Sequence, residues 1–469
     1  MSEMGWRPRA PAWAAAVLVG IGFLAAEAIV LGARIRDFDE GVYWQSFRAL
    51  SRGETLFRSI FTPTPPAFYY TLLPFYRVVP SLTSLRLGVL VFGVIGLAAT
   101  FVAGRLLADN LAGLLAVILA ATSPLYLTES AVLLADGPAV ATSVVAVALI
   151  LLALRREGRA RDGLAMAAGL ALAVSAGIKL LGIVAAVPLL ILLLDAPRAR
   201  GRLVLFTIVG GLLGTVVLML PALGAPGAAF DELVLSHLRP GQAATTSPVD
   251  NLVVFLRGQA PLAALAALGA AIALRCRDVR VVAPLAWTAA SLAAVLLYRP
   301  LFPHHLVMLT PPLALVAAVG LVPALTSRAK TLAIVGLVLV TAGAGALIVT
   351  DATRRVLAPD LHDTEMTAAV RAVSRPGEFW ISDNPYAVAA ADRDIPGPLV
   401  DTSRQRTAAG LLTTADLEAA RARYDIRWIL ADSFRLDKVP GFRVWRDAHF
   451  HAVQNLGGGA RIYEANLPP

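Results

Sequence analysis

Charge and cysteine are both scarce in this sequence. Charged residues make up 16% and hydrophobic residues 57% of its 469 positions, whereas a soluble domain carries about 25% charged residues. This balance excludes an ordinary soluble protein. The single cysteine, Cys276, excludes an intrachain disulfide. The formal net charge of +9 does not indicate a nucleic-acid partner, because much of the excess lies in short loops, where membrane orientation is the simpler cause.

The apolar residues gather into many runs of about 18–24 residues, the length that a helix needs to cross a hydrocarbon core of ~30 Å. We therefore predict an all-α polytopic membrane protein with about eleven transmembrane helices. Spans five and six are short, and the sequence leaves open whether they are separate helices or one re-entrant unit. The predicted spans are Pro11–Ala33, Ser84–Gly104, Leu111–Tyr126, Ala131–Leu154, Gly163–Ile178, Leu180–Leu194, Leu203–Leu220, Ala260–Leu274, Val279–Tyr298, Pro303–Pro323 and Thr331–Thr350.

Arginine and lysine concentrate in one set of short loops, such as the loop that carries Arg155, Arg156, Arg159 and Arg161. The other loops are long or nearly free of both residues. Since basic short loops mark the cytoplasmic side, we predict a cytoplasmic amino terminus, an extracytoplasmic carboxyl terminus and a location in the cell membrane. The first apolar stretch exceeds the ~7–15 residues of a signal peptide, so we expect an uncleaved helix.

Three segments are expected on the extracytoplasmic side. They are the first loop (34–83), a mid-chain loop (Ala222–Gln259) and the tail (351–469). We accordingly divide the chain into a membrane domain, 1–350, which includes the first loop, and an extracytoplasmic tail domain, 351–469.

The first loop is predicted to hold two short helices that lie on the membrane face. One runs from Glu40 to about Arg52 and carries Tyr43 and Trp44, residue types that prefer the level of the lipid headgroups. The other begins at Pro65-Pro66, because proline is favoured in the first turn of a helix. The loop is therefore interpreted as a folded platform.

The tail has the pattern of a small α/β domain of about 100 residues. Helical stretches alternate with short apolar strands, and the chain ends in a predicted hairpin around Gly457-Gly458-Gly459. These glycines lack the spacing of a phosphate loop. The predicted elements are helices Thr364–Val373 and Asp416–Arg423, strands Phe379–Ser382, Trp428–Leu430 and Phe442–Trp445, and hairpin strands Ala452–Leu456 and Arg461–Tyr463.

Two adjacent carboxylates, Asp39 and Glu40, follow the first span. Ionisable residues at a membrane face are functional candidates, because burying them there costs free energy. Acids at the start of a helix also cap it and suit its positive end. Both roles are compatible, since a cap also fixes the orientation of a catalytic carboxylate.

Further ionisable residues are predicted on the same side. Glu129 and Asp136 flank the start of the fourth span, where capping is again the alternative. Lys179, Arg299, His304 and His305 could hold a lipid phosphate, although a lysine at a helix end can simply extend to the headgroups. Adjacent histidines seldom point the same way, so the sequence does not support a divalent metal, although it leaves one open, and it identifies no other cofactor.

Five stretches together resemble the GT-C class of membrane glycosyltransferases, in the group of protein O-mannosyltransferases and aminoarabinose lipid A transferases. The aminoarabinose transferases usually show Arg-Tyr after the acidic pair. Here Val42 precedes Tyr43, which argues against lipid A as the acceptor. The stretches are Asp39-Glu40-Gly41-x-Tyr43, Pro65-Pro66-x-x-Tyr69, Asp136-x-Pro138, the glycine run from Gly169 to Lys179, and Pro303–Pro312.

The resemblance implies a polyprenyl-phosphate-linked sugar as donor, transfer to a lipid, glycan or protein acceptor outside the cytoplasm, and inversion at the anomeric carbon. It implies that Asp39 is the general base and that Glu40 orients the acceptor or supports Asp39. The leaving lipid phosphate would need cations. The implied phosphate ligands are Lys179, Arg299, His304 and His305, and the implied substrate-binding residues are Tyr43, Tyr69, Glu129 and Asp136.

Two other functions remain as alternatives, a multi-span transporter and a lipid-handling or structural membrane protein without transferase activity. A transporter would predict internal repeats and charges near mid-bilayer, and the sequence shows neither clear repeats nor many such charges. A purely structural protein would not need the acidic pair and the cations beside it.

Overall fold

The computed structural model describes residues 10–32, 37–195, 200–236, 247–297, 301–325 and 361–466, with the single positions 343, 346 and 350. The chain packs into two compact units. The helical unit consists of the described residues of 1–33, 86–218 and 245–357. The α/β unit consists of the described residues of 34–85, 219–244 and 358–469.

Helices make up most of the described chain. Their boundaries, in chain order, are α1 Ala10–Val30, α2 Phe38–Ser51, α3 Pro66–Val78, α4 Leu82–Leu107, α5 Asn110–Ala121, α6 Pro124–Ala131, α7 Asp136–Ala153, α8 Gly158–Ile178, α9 Ala186–Leu194, α10 Arg200–Met219, α11 Pro226–Phe230, α12 Pro248–Arg275, α13 Val282–Leu297, α14 Thr310–Leu325, α15 Leu361–Val373, α16 Pro385–Ala390, α17 Arg404–Ala408, α18 Thr414–Tyr424 and α19 Phe442–His449.

Seven of the described helices are long and apolar enough to cross a membrane, or nine if each of two bent pairs counts as one span. The predicted polytopic membrane architecture is therefore confirmed, whereas the count of eleven is not. The sixth predicted span is a shorter apolar stretch, Leu180–Leu194. The eleventh, Thr331–Thr350, lies outside the described residues apart from the three single positions.

Proline and capping residues explain where two of the spans break or begin. The third predicted span is bent by 66° between α5 and α6, because Ser123 caps a new helix with Pro124 in its first turn. The helix α12 begins at Pro248, well before the predicted Ala260. The sequence-based boundary was wrong because Ser247 and Asp250 form a capping box that starts the helix early.

Close helix packing in the helical unit depends on glycine. A Cβ at Gly169 or Gly210 would collide with the backbone of the other helix, α10 or α8 respectively, and one at Gly320 would collide with the backbone of Gly269 on α12. Small residues of this kind let membrane helices approach closely. The helices α7 and α14 are almost wholly buried in this packing.

The α/β unit contains a four-stranded sheet of order β1-β2-β4-β3. Strand β1 runs parallel to β2, whereas β4 is antiparallel to both β2 and β3. The predicted hairpin around the three glycines is confirmed as β3 and β4. The strands are β1 Trp380–Ser382, β2 Trp428–Ala431, β3 Phe450–Asn455 and β4 Arg461–Ala465.

The predicted strand Phe442–Trp445 is wrong, because these residues begin helix α19. The stretch Phe442-Arg443-Val444-Trp445 does not alternate strictly between apolar and polar residues. A spacing of three residues also places Phe442 and Trp445 on one face of a helix. Their ring centroids lie 6.2 Å apart. Gly441, at φ +77°, supplies the left-handed turn before the helix.

The two helices predicted in the first loop are confirmed as α2 and α3. Phe47 of α2 is fully buried, and its ring packs on Phe68, Tyr69 and Tyr76 of α3 with centroids 5.5–6.2 Å apart. Aromatic side chains thus join the two helices, whereas the Trp44 ring packs on Tyr386 of the tail, with centroids 5.8 Å apart.

Candidate active site

The acidic pair lies in the first turn of α2, and neither member is the cap. Asp37 is the N-cap, and its carboxylate accepts the backbone N–H of Asp39 at 2.8 Å. Asp39 is partly exposed whereas Glu40 is fully buried. Asp37, and not Asp39 or Glu40, therefore caps the helix, and this cap orients the segment that carries Asp39.

A cavity of about 330 Å³ adjoins this helix start. We call it the acidic cavity. The ring of Phe38 carries the Arg435 guanidinium at 3.9 Å from its centroid. Asn384 donates to both Asp363 and Asp432 at 2.9 Å. The cavity is lined by Asp37, Phe38, Asp363, Asp383, Asn384, Pro385, Tyr386, Asp432, Ser433 and Arg435.

Asp383 holds one wall of the acidic cavity in place. Its carboxylate accepts backbone N–H groups from Asp432 at 2.7 Å, Ser433 at 3.2 Å and Arg435 at 2.9 Å. Burial raises the pKa of Asp383, and these backbone N–H groups oppose the rise. The residue therefore acts as a positioning group for the loop after β2.

Sequence reasoning missed the acidic cavity, although a signal was present. Asp383 and Asn384 follow β1, and Asp432 and Ser433 follow β2. Because β1 and β2 are parallel, their carboxyl ends meet at one edge, where α/β sheets bind ligands. The missing step was the pairing of two strands 45 residues or more apart, which no local pattern reveals.

The two tyrosines predicted to bind substrate differ in exposure. The Tyr43 hydroxyl lies 3.0 Å from Thr64 Oγ1, and its ring packs on Phe68 with centroids 4.6 Å apart. Tyr69 is fully buried, and its hydroxyl lies 2.8 Å from Thr62 Oγ1. Burial raises the pKa of Tyr69, so this phenol stays neutral and supports the loop from within.

A further carboxyl, Glu232, contacts the same loop and was not singled out from the sequence. The backbone N–H of Thr62 donates to Glu232 Oε2 at 2.7 Å. Burial raises the pKa of Glu232 to about 8. The Arg406 guanidinium opposes this rise and the Asp401 carboxylate adds to it. Its helical turn has π geometry, which often marks functional positions.

A second group of predicted site residues comes together in the helical unit. We call Asp136, Lys179, His304 and His305 the Asp136 cluster. Lys179 Nζ lies 2.5 Å from Asp136 Oδ2, and His304 Nε2 lies 4.0 Å from the same oxygen. Asp136 begins α7, Lys179 is the extended residue after α8, and the histidines lie in the 3₁₀ turn Pro303–Leu309.

The two histidines lie side by side, with ring centroids 4.4 Å apart. The expected divergence of adjacent histidines, which argued against a metal, is therefore not found here. One ligand atom from each of Asp136, His304 and His305 lies within 4.8 Å of the others. Asp136 Oδ1 is buried and has no hydrogen-bond partner among the described residues. A carboxylate with two imidazoles is a donor set that zinc-like divalent ions accept.

The Glu129 backbone contacts the start of the helix that carries Asp136. Glu129 is buried in α6. Its backbone carbonyl packs so closely on Gly137 that a Cβ at that position would lie 2.5 Å from the Glu129 oxygen. Its backbone therefore helps to place the start of α7 that carries Asp136. Arg299 lies outside the described residues.

The chain resembles proteins of known structure over nearly its full length. Residues 63–224 match the family model for dolichyl-phosphate-mannose-protein mannosyltransferase. ArnT from Cupriavidus metallidurans bound to undecaprenyl phosphate aligns over 95% of this chain and 97% of that chain, with a TM-score of 0.73 and 14% identity. Its apo state aligns over 97% and 98%, with a TM-score of 0.72 and 15% identity.

The archaeal oligosaccharyltransferase AglB from Archaeoglobus fulgidus, in complex with an inhibitory peptide and a dolichol-phosphate, is a more distant likeness. It aligns over 99% of this chain and 75% of that chain, with a TM-score of 0.56 and 12% identity. Comparison with curated proteins gives no match. The GT-C-like fold, with its small carboxyl-terminal α/β region, is thereby confirmed, and so is the resemblance to GT-C membrane glycosyltransferases.

Proposed function

We propose that the protein transfers a sugar from a polyprenyl-phosphate donor to an acceptor hydroxyl on the extracytoplasmic face of the cell membrane. The observation that carries the proposal is Asp39, held at the start of α2 by the Asp37 cap and directly following Asp37 and Phe38, which line the acidic cavity. The donor class is supported by the undecaprenyl phosphate and dolichol-phosphate bound to structures of similar fold.

In the proposed reaction, the Asp39 carboxylate removes the proton from the acceptor hydroxyl. The acceptor oxygen forms a bond to the anomeric carbon from the face opposite the lipid phosphate. The bond between that carbon and the phosphate oxygen breaks, and its electron pair stays on the phosphate. The configuration at the anomeric carbon is therefore inverted.

The leaving phosphate gains negative charge, so cations that face it lower the barrier. Lys179, His304 and His305 are the proposed phosphate ligands, and Arg299 is proposed to join them. Lys179 is paired with Asp136, which orients the ammonium group. A divalent ion on Asp136 and the histidines would add positive charge at the same place.

The acidic cavity is proposed to receive the acceptor. Phe38 and Tyr386 offer apolar ring faces, and the carboxylates, the Asn384 amide and the Ser433 hydroxyl offer hydrogen-bonding groups for a polyhydroxylated molecule. The proposed acceptor is a lipid, a glycan or a protein that presents a hydroxyl to Asp39.

The decisive variant is Asp39→Asn, which keeps the shape of the side chain and removes the proton acceptor. General-base catalysis contributes about 10²–10⁴-fold, so sugar transfer should fall by that factor while donor binding persists. The matched control is Asp447→Asn, because Asp447 is 64% exposed on α19. Transfer is measured with a panel of polyprenyl-phosphate sugars, and the product is identified by mass spectrometry of lipids and glycans from a deletion strain.

Near wild-type turnover in Asp39→Asn would remove Asp39 from the mechanism. Substrate movement across proteoliposomes without any sugar transfer would favour a transporter instead.

A further inference from the structure

A second cavity in the α/β unit, of about 390 Å³, contains three arginines and is separate from the residues assigned to catalysis. We call it the arginine cavity. Arg443 and Arg446 come from one face of α19, three positions apart, and Arg461 comes from the start of β4. Its full lining is Asp383, Ala431, Phe434, Leu436, Asp437, Arg443, Arg446, Gly459, Arg461 and Tyr463.

Two arginines of the arginine cavity have N–H donors that remain available to an anionic ligand. Arg443 pairs with Asp437 at 2.7 Å and remains 68% exposed. Arg461 is exposed and makes no side-chain hydrogen bond or ion pair with the described residues. The buried Asp383 carboxylate is occupied by the backbone N–H groups of the loop after β2. A guanidinium carries five donors, so most of those on Arg443 and Arg461 are unused.

Aromatic surface adjoins these donors. Phe434 is 60% exposed, and its backbone adopts the left-handed conformation at φ +58°, which is strained for a bulky residue. The structure keeps an apolar ring at the rim of the cavity in spite of that strain, a pattern that is typical of functional sites. Elsewhere in the lining, the Arg446 guanidinium lies 4.5 Å from the Tyr463 ring centroid.

A glycine turn contributes to the same lining. Gly459 has φ +88°, a conformation in which a side chain would be strained. A Cβ there would lie 3.6 Å from Phe434 Cζ, in ordinary van der Waals contact with the ring. The turn between β3 and β4, which sequence analysis assigned to a hairpin, thus also shapes the cavity mouth.

We propose that the arginine cavity binds an anionic group, a carboxylate or a phosphate, carried by a saccharide. The guanidinium groups match the planar geometry of such anions, and the exposed ring of Phe434 suits the apolar face of a sugar. The two cavities share Asp383, and different residues of the loop after β2 line each of them. This places an anionic sugar beside the proposed acceptor site. A role of the arginine cavity in selecting the acceptor rests on the proposed function, whereas its binding of an anionic saccharide does not.

The test is equilibrium binding to the full chain in lipid nanodiscs, without any donor. The probes are a short oligogalacturonate, a neutral oligogalactoside of equal length, inorganic phosphate, and vesicles of anionic phospholipid. Calorimetry should show binding of the oligogalacturonate, weaker binding of phosphate alone, and none of the neutral sugar. Affinity should fall as salt rises, because the contact is between charges.

Arg461→Gln and Arg443→Gln should each lower the oligogalacturonate affinity about 10-fold or more, the effect expected from a lost hydrogen bond to a charged group. Arg427→Gln is the control, since Arg427 is 65% exposed, pairs with Asp425 and lies outside the cavity lining. Phe434→Gly should weaken binding while thermal stability holds or rises, because glycine relieves the backbone strain.

Equal affinity for the charged and neutral sugars would overturn the proposal, as would unchanged binding in Arg461→Gln and Arg443→Gln with normal thermal unfolding. Binding confined to the anionic vesicles would assign the arginines to the membrane surface instead. If oligogalacturonate binding is lost in Arg461→Gln but no sugar transfer is ever found, the binding site stands and the proposed transferase function fails.

Discussion

Lys179 Nζ lies 2.5 Å from Asp136 Oδ2, although the two residues are 43 positions apart in the chain. Asp136 is 2% exposed and the Lys179 side chain 18% exposed. A lysine that merely extends to the lipid headgroups would not need a buried carboxylate as its partner. The two residues therefore form a preorganised ion pair between the start of α7 and the end of α8.

If Lys179 contacts the lipid phosphate, Lys179→Ala should slow sugar transfer by about 10²–10³-fold, the usual effect of removing one group that stabilises a developing anion. Lys179→Arg should recover part of the loss, because it keeps the charge but changes reach and geometry. The measurement is transfer rate against donor concentration in one detergent. Lys438→Ala, at an exposed position, is the control. Unchanged kinetics in folded Lys179→Ala would leave Arg299 as the next residue to test.

The raised pKa of Glu232 predicts a stability that depends on pH. The pKa is about 8 in the folded state and about 4.5 when the carboxyl is exposed, so folding favours the protonated form. This contribution is fully present below about pH 4.5 and is lost as pH rises through about 8. Thermal unfolding between these values should show stability falling, and Glu232→Gln should remove that part of the slope. The control is Asp425→Asn, because Asp425 is 85% exposed, and the slope should persist in that variant.

Gly320→Ala should destabilise the helical unit by about 1–3 kcal/mol, the usual cost of overpacking, because the new methyl group meets the backbone of Gly269. Gly20→Ala on α1 has open space around the new methyl group and should cause no loss, since alanine also has the higher helix propensity. Detergent-solubilised unfolding temperatures of the two variants give the comparison. Equal temperatures would mean that α14 can shift away from α12 at little cost.

The orientation is testable because Cys276 is the sole cysteine. In a Cys276→Ser background, Arg159→Cys should resist a membrane-impermeant thiol reagent in intact cells, whereas Asp447→Cys should react. Both positions are exposed in the structure, so access depends on the side of the membrane. Labelling at position 159 from outside would reverse the predicted orientation and, with it, the proposed face for sugar transfer.

Local patterns in the sequence determined the membrane class, the first-loop helices and most of the tail. Apolar length alone identifies a span. The helix predicted over Asp416–Arg423 is found as α18, and its start is fixed by a local capping box of Thr413 and Asp416. At Phe442 and Trp445 the spacing fits both a strand and a helix. The local pattern predicted a strand, and the structure contains a helix.

Only the tertiary structure decided which of the candidate residues act together. The sequence predicted Asp136, Lys179, His304 and His305 one by one, and the packing of α8 and of the 3₁₀ turn Pro303–Leu309 on α7 brought the three segments to one point. The two histidine rings lie near each other because consecutive side chains diverge by about 120° in a 3₁₀ turn and by more in an extended segment. Both cavities of the α/β unit depend on the parallel pairing of β1 with β2. Such contacts between distant segments leave no local periodicity, because the free energy that selects them comes from packing and not from neighbouring residues.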